Sequence, residues 1–218
     1  MTIAQGYRVE LQDVRERFLL MAGRVERMIA GSVRALAESD PELAREVMAQ
    51  DHQVNRDELE IDDLCMSILA RRNPVASELR FLTLALKMST ELERIGDLAV
   101  DVCQRAIQIA GMERVRMHDA LPEMSNVVQT MVRDVIDAFV DHDADSARDV
   151  IERDDLVDEL YHQAMRDLLM WMVDREFPVN PGTRYQSVAK LLERIADHAV
   201  HIAELVVFLV EGRDIRHT

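Results

Sequence analysis

An all-α fold, built as two tandem antiparallel three-helix bundles related by an internal repeat, is what this sequence predicts. Three observations lead there. Apolar residues recur every third or fourth position over stretches of several helical turns. Aromatics make up only 4% of the 218 residues, beside 13 Met, 7 Gly and 5 Pro, a mixture that favours helices over sheets. One phrase is written twice: Glu93-Arg94-Ile95-Gly96-Asp97-Leu98-Ala99-Val100 returns as Glu193-Arg194-Ile195-Ala196-Asp197-His198-Ala199-Val200.

The first helix is expected from Val9 to about Ala37, with Leu11, Val14, Phe18, Met21, Val25, Met28, Ile29, Val33 and Leu36 on its apolar face. Ser39-Asp40-Pro41 interrupts it and starts the next. Either Ser39 or Asp40 can cap, and Pro41 falls in the first turn, where its missing N–H costs nothing. The second helix should run to Arg71 on Val47, Val54, Leu59, Ile61, Leu64, Ile68 and Leu69, until Asn73-Pro74 breaks it. A third follows from Ser77 to Gln108, ending loosely at Gly111.

After a connection at His118 to Pro122 the pattern begins again. Val127, Val128, Met131, Val135, Ile136 and Phe139 mark the fourth helix, and His142-Asp143 repeats the break at Ser39-Asp40. Val150, Ile151, Leu156, Val157, Leu160, Leu168, Leu169 and Met172 mark the fifth. Trp171, Met165 and Met170 read as core near its end, and their exposure would point to a partner surface. Residues 174 to 183 hold Pro178, Asn180, Pro181 and Gly182 and are the least helical stretch. The sixth helix is expected from Val188 to Val210, stopping at Gly212.

Asp40, Ala44, Arg45 and Val47 align with Asp143, Ala147, Arg148 and Val150 at a shift of 103, as do Asp51 and Val54 with Asp154 and Val157. By the third helix the shift is 100. Residues 1–114 and 115–218 are therefore read as two related three-helix units, with one undivided six-helix bundle as the alternative arrangement.

Against 26 Lys and Arg stand 41 Asp and Glu, a formal charge of −15. Such a field repels nucleic acid and anionic membrane surfaces and favours cations or basic protein patches. No run reaches transmembrane length, so no direct membrane insertion is expected. Arg8, Glu10, Asp13 and Arg15 argue against a signal peptide, and Cys65 and Cys103 in apolar patterns suit buried thiols in a reducing compartment. The expectation is a cytoplasmic protein.

On a helix, steps of four rotate by only about 40°. Glu93, Asp97 and Asp101 thus share one stripe, and Glu193, Asp197 and His201 share another, opposite Ile95, Ala99 and Val102 or Ile195, Ala199 and Ile202. Like charges at this spacing cost an exposed helix roughly 0.2–0.5 kcal/mol per pair, a penalty that a bound cation would reverse. The second and fifth helices offer matching ladders, Asp51, Asn55, Glu58 and Asp62 in one and Asp154, Asp158 and His162 in the other. An oxygen-rich set suits magnesium, manganese, calcium or iron, and His198 and His201 tilt the second toward a transition metal. The plainer alternative is a solvated acidic face that duplication of the scaffold has copied.

Catalytic motifs are absent. Glu159-x-x-His162 is the one Glu-x-x-His spacing where a di-iron bundle needs two, and there is no phosphate loop and no His-Glu-x-x-His. His52, His118, His142 and His217 read as surface or turn residues. A metal-dependent enzyme, or a divalent-cation binding protein using the same stripes, is the alternative to a binding and signalling role.

Glu91-Leu92-Glu93-Arg94-Ile95-Gly96-Asp97, its partner Glu193-Arg194-Ile195-Ala196-Asp197, the helix-two and helix-five phrases Asp51-x-x-Val54-Asn55 and Asp154-x-x-Val157-Asp158, and the closing Val210-Glu211-Gly212-Arg213-Asp214-Ile215-Arg216-His217 together resemble the phosphate-specific transport system accessory (PhoU) family over nearly the whole chain. The resemblance implies two three-helix repeats and multinuclear metal sites, with iron, manganese, zinc or magnesium as candidate ions. It places Glu93, Asp97 and Asp101 in one site and Glu193 and Asp197 in the other, faced by Asp51 with Asn55 and by Asp154 with Asp158. His201 stands where a carboxylate or amide is expected, and Ala196 where the first copy has Gly96. It further implies a cytoplasmic negative regulator of phosphate uptake and phosphate-starvation signalling, a homodimer, in contact with a phosphate ABC transporter and a sensor histidine kinase.

Overall fold

A computed structural model describes residues 3–112, 119–174 and 178–213, with side chains from Tyr7 onward. Among them are seven α-helices: α1 (Ile3–Glu38), α2 (Pro41–Met48), α3 (Asp51–Arg72), α4 (Ala76–Ala110), α5 (Ala120–Asp141), α6 (Ala144–Val173) and α7 (Val179–Glu211). They form two three-helix bundles, α1 with α2/α3 and α4, and α5 with α6 and α7. His118, His217 and the end of the closing phrase, residues 214–217, lie outside the described residues.

The breaks at Ser39-Asp40 and His142-Asp143 share their backbone geometry and capping bonds. Ser39 and His142 take left-handed backbone, at φ 53° and 55°. The next residue's amide closes each helix, Asp40 N on Ala35 O and Asp143 N on Ala138 O, both at 2.9 Å. Asp40 Oδ1 then accepts from the amides of Glu42 and Leu43 at 3.0 Å, and Asp143 Oδ1 from those of Asp145 and Ser146 at 3.0 and 3.1 Å. The aspartates are therefore the caps, and Ser39 supplies only the turn.

Two expectations need correction. The second helix is not continuous: an i−3 bond from Gln50 N to Val47 O tightens the chain and separates α2 from α3, whereas α6 runs unbroken for 30 residues. Residues 179–183, expected as irregular, are the first turn of α7. Pro181 there needs no amide partner, and Gly182 N already donates to Pro178 O at 3.1 Å. Gly212 ends α7 at φ 71°, with its amide on Phe208 O.

A single apolar core runs through both bundles. Between them α1 packs on α5 and α4 on α7. Phe139 of α5 meets Phe18 of α1 at 4.9 Å and stacks on Phe81 of α4 at 5.5 Å between ring centroids. The seam of α4 and α7 is antiparallel: Arg80 Nη1 reaches Leu209 O at 3.4 Å, and Arg105 Nε reaches Ser187 Oγ at 3.1 Å at the other end. Ile95 and Ile195, both fully buried, sit midway along it. Cys65 and Cys103 are buried free thiols, pushed up to about 12 by desolvation, which suits packing.

Candidate metal centres

The first acidic row stands on α4, where Ile95, Ala99 and Val102 are fully buried and fix the opposite face. Glu93 and Asp101 are left half-buried and Asp97 exposed. Val54, also fully buried, turns α3 so that Asp51 and Asn55 face this row. The electrostatics record the meeting. Desolvation, then the charges of Asp97, Glu58 and Asp51, push Glu93 above the usual carboxylate range, and desolvation with Asp51 and Asp101 does the same to Asp97.

Hydrogen bonding leaves this row short of donors. Asn55 Nδ2 donates to Asp51 Oδ2 at 3.3 Å and Thr90 Oγ1 to Glu58 at 3.1 Å. Asp51 Oδ1 and Asn55 Oδ1 are buried with no hydrogen-bond partner at all. An unpaired buried acceptor costs about 1–3 kcal/mol, and here two of them lie among carboxylates that already repel one another. A hard multivalent cation is the species whose binding would relieve both costs, so the donor set fits an oxygen-ligated metal.

The second row repeats the plan with different chemistry. Asp154 of α6 is pushed up to about 6 by desolvation first, then by Asp158, Asp197, Glu193 and Asp155. Facing of α6 and α7 thus mirrors that of α3 and α4. Here, however, a cation is already part of the chain: Lys190 Nζ lies 2.6 Å from both oxygens of Glu193. The equivalent of Lys190 in the first copy is Thr90.

His201, expected to finish the second row, gathers elsewhere. One oxygen or nitrogen each from Glu91 of α4 and from His198 and His201 of α7 lie within 4.8 Å of one another, the one such group of three among the described residues. His198 Nδ1 is 2.5 Å from Glu91. Burial pushes the Glu91 carboxyl up, but its hydrogen bond and charge pairing with His198, with Arg94 and His201 adding, hold it below the ordinary value. The sequence reading passed over Glu91 and Lys190 as functional residues. Their signal was a difference between copies, Glu91 against Leu191 and Thr90 against Lys190.

Elsewhere the apolar pattern misled. Met170, expected in the core, is 57% exposed, and Leu59, Leu156 and Leu169 are also exposed. No helix among the described residues is long and apolar enough to cross a membrane.

Against known proteins, the family model described as PhoU domain matches residues 18–106 and 121–206. A phosphate-specific transport system accessory protein PhoU homolog from Pseudomonas aeruginosa is 41% identical over 216 residues, covering 99% of this chain and 89% of the relative. The corresponding PhoU of Escherichia coli (strain K12) is 32% identical over 215 residues, at 99% and 89% coverage. The crystal structure of PhoU from Pseudomonas aeruginosa superposes with a TM-score of 0.90 at 40% identity, over 95% of this chain and all (100%) of that one. The phosphate transport system regulatory protein PhoU from Streptococcus pneumoniae gives 0.89 at 27% identity, over 96% and 99%.

Proposed function

The chain belongs to the PhoU family, and on that premise we propose that it is a non-catalytic negative regulator of phosphate uptake and phosphate-starvation signalling. It acts by contact with components of a phosphate ABC transporter and with a sensor histidine kinase, as a homodimer, with metal ions on its two acidic helix faces. The observation that carries the regulatory role is the match to phosphate-specific transport accessory proteins over 99% of the chain. A net charge of −15 supports docking on basic protein faces through long-range attraction.

The metal part of the proposal rests on the unpartnered oxygens of Asp51 and Asn55 beside Glu93, Asp97 and Asp101. These five residues would hold ions at the first face. Glu193, Asp197, Asp154 and Asp158 would do so at the second, where His201 turns away toward Glu91. A bound ion would supply positive charge there and tie α3 to α4 and α6 to α7. Iron, manganese, zinc and magnesium are the candidates, with hard ions favoured at the first face.

Two measurements test the proposal. In cells lacking their own copy, wild type should keep a phosphate-responsive promoter silent at high phosphate, and an unrepressed reporter would defeat the regulatory role. Elemental analysis of purified wild type beside Glu93→Ala/Asp97→Ala should show bound metal lost from the variant. Unchanged metal content would remove the first face from the account while leaving the regulatory role standing.

A further inference from the structure

The seam between α4 and α7 is where the two copies lie against each other, so equivalent residues appear on both sides of one interface. Glu91, Leu98 and Asp101 of α4 correspond to Leu191, His198 and His201 of α7. Leu98 and Leu191 are both buried. At the matching place on the other side of Ile95 and Ile195, the pair is instead Glu91 and His198, with side chains only 19% and 13% exposed, and exposed His201 joins them. One half of a nearly symmetric interface is apolar and the other carries a carboxylate and two imidazoles.

We propose that Glu91, His198 and His201 form a second kind of metal site, distinct from the acidic rows, that binds a borderline divalent ion of the zinc class and clamps the first repeat to the second. The ligand set is two nitrogens and one oxygen, which suits zinc, cobalt or nickel over magnesium or calcium. A tetrahedral ion with bonds of about 2.0–2.1 Å holds its ligand atoms about 3.3 Å apart. Donors already within 4.8 Å reach that spacing by side-chain rotation, with both helices staying in place. His198 and His201 sit at i and i+3 on one face of α7, their rings 6.1 Å apart at 65°, so both can turn toward one point.

An ion pair between Glu91 and His198 is the simpler account of those two residues, but it gives His201 no part. It also leaves unexplained why a second imidazole converges on the same carboxylate from an exposed position. The surroundings favour positive charge. Glu91 and His201 border a groove of about 900 Å³ whose rim includes Asp62, Glu204 and Lys87, two acids against one base. Three protein ligands leave a fourth position, and it opens on that groove for water or for Glu204, one turn beyond His201.

This site does not depend on the acidic rows binding anything. The test uses chelator-stripped full-length protein titrated with cobalt(II), whose ligand-field absorption reports nitrogen-containing tetrahedral coordination, followed by zinc competition. Wild type, Glu93→Ala/Asp97→Ala and Glu193→Ala/Asp197→Ala should all develop the band. His201→Ala should lose it and bind zinc at least about tenfold more weakly. His201 is exposed, so its removal leaves the fold intact, and far-UV circular dichroism of His201→Ala and His201→Gln verifies this. A band unchanged in both His201 variants, a band lost with the row variants, or no band in wild type would each overturn the proposal.

Discussion

The two repeats share their backbone devices and differ in their charges. Both breaks use a left-handed residue and an aspartate cap with matching hydrogen bonds. Both rows face an aspartate from the neighbouring helix. Yet the first row meets two buried, unpartnered oxygens, while the second has Lys190 seated on Glu193. A duplicated scaffold therefore holds two versions of one electrostatic problem. In the second a lysine ammonium is seated on the row, and in the first the buried oxygens of Asp51 and Asn55 meet no such partner.

The largest expected consequence is in metal binding. With manganese(II) as the probe in calorimetry, the first face should be the tighter, and Glu93→Ala/Asp97→Ala should weaken total binding by at least about tenfold. Glu193→Ala/Asp197→Ala should cost clearly less. Equal losses would mean that Lys190 does not distinguish the faces and that the comparison between them fails.

Acid dependence should separate the repeats next. A carboxyl whose folded-state value is raised from 3.8 to about 6 favours folding most below the lower value, and loses that advantage as pH climbs through the upper one. Ionised Asp154 therefore burdens the metal-free fold above about pH 6, where Asp154→Asn removes the burden. Thermal melts in chelator should show the variant more stable than wild type by about a few degrees near pH 8, with the gap closing near pH 4. Because a cation displaces the same proton, manganese binding at this face should also weaken as pH falls below about 6. A gap independent of pH would assign the gain to something other than charge.

How much of this could be read from sequence follows from what each signal measures. Helix order, the breaks at Ser39-Asp40 and His142-Asp143, and the acidic rows at Glu93 and Glu193 were legible because each is a local spacing, while the choice of Asp40 over Ser39 as cap was not. The start of α7 was hidden because Pro181 and Gly182 are read as breakers, although a first turn tolerates both. The break between α2 and α3 had no composition signal: its two residues, Ala49 and Gln50, keep right-handed helical angles. Lys190 and Glu91 carried no repeated signal, because each stands where the copies differ, against Thr90 and Leu191.

Lys190 offers a smaller, sharper test. Its ammonium is about half exposed, so the pair with Glu193 is screened and worth at most about 1 kcal/mol. Lys190→Gln frees Glu193, and a divalent ion no longer has to displace a bound cation. Manganese affinity at the second face should rise a few-fold, measured in a Glu93→Ala/Asp97→Ala background so that only this face reports. No change would mean that Lys190 swings aside at negligible cost.

The smallest difference is Gly96 against Ala196, one of two departures within the repeated phrase, the other being Leu98 against His198. A Cβ on Gly96 would stand 3.4 Å from Val54 Cγ1 and 3.9 Å from Met28 Cε, the tight end of ordinary contact. Glycine inside a helix costs roughly 0.5–1 kcal/mol relative to alanine, and Ala196 is fully buried without strain in the backbone. Gly96→Ala should therefore raise thermal stability slightly and leave manganese binding unchanged, making the departure one of packing only. Val54 lies between Asp51 and Asn55 on α3, so an alanine that pushed it outward would also carry those two oxygens away from Glu93 and Asp97. Weaker manganese binding with no gain in stability would thus mean that Gly96 sets the spacing of α3 and α4 for the first row, and that Ala196 holds the second row apart.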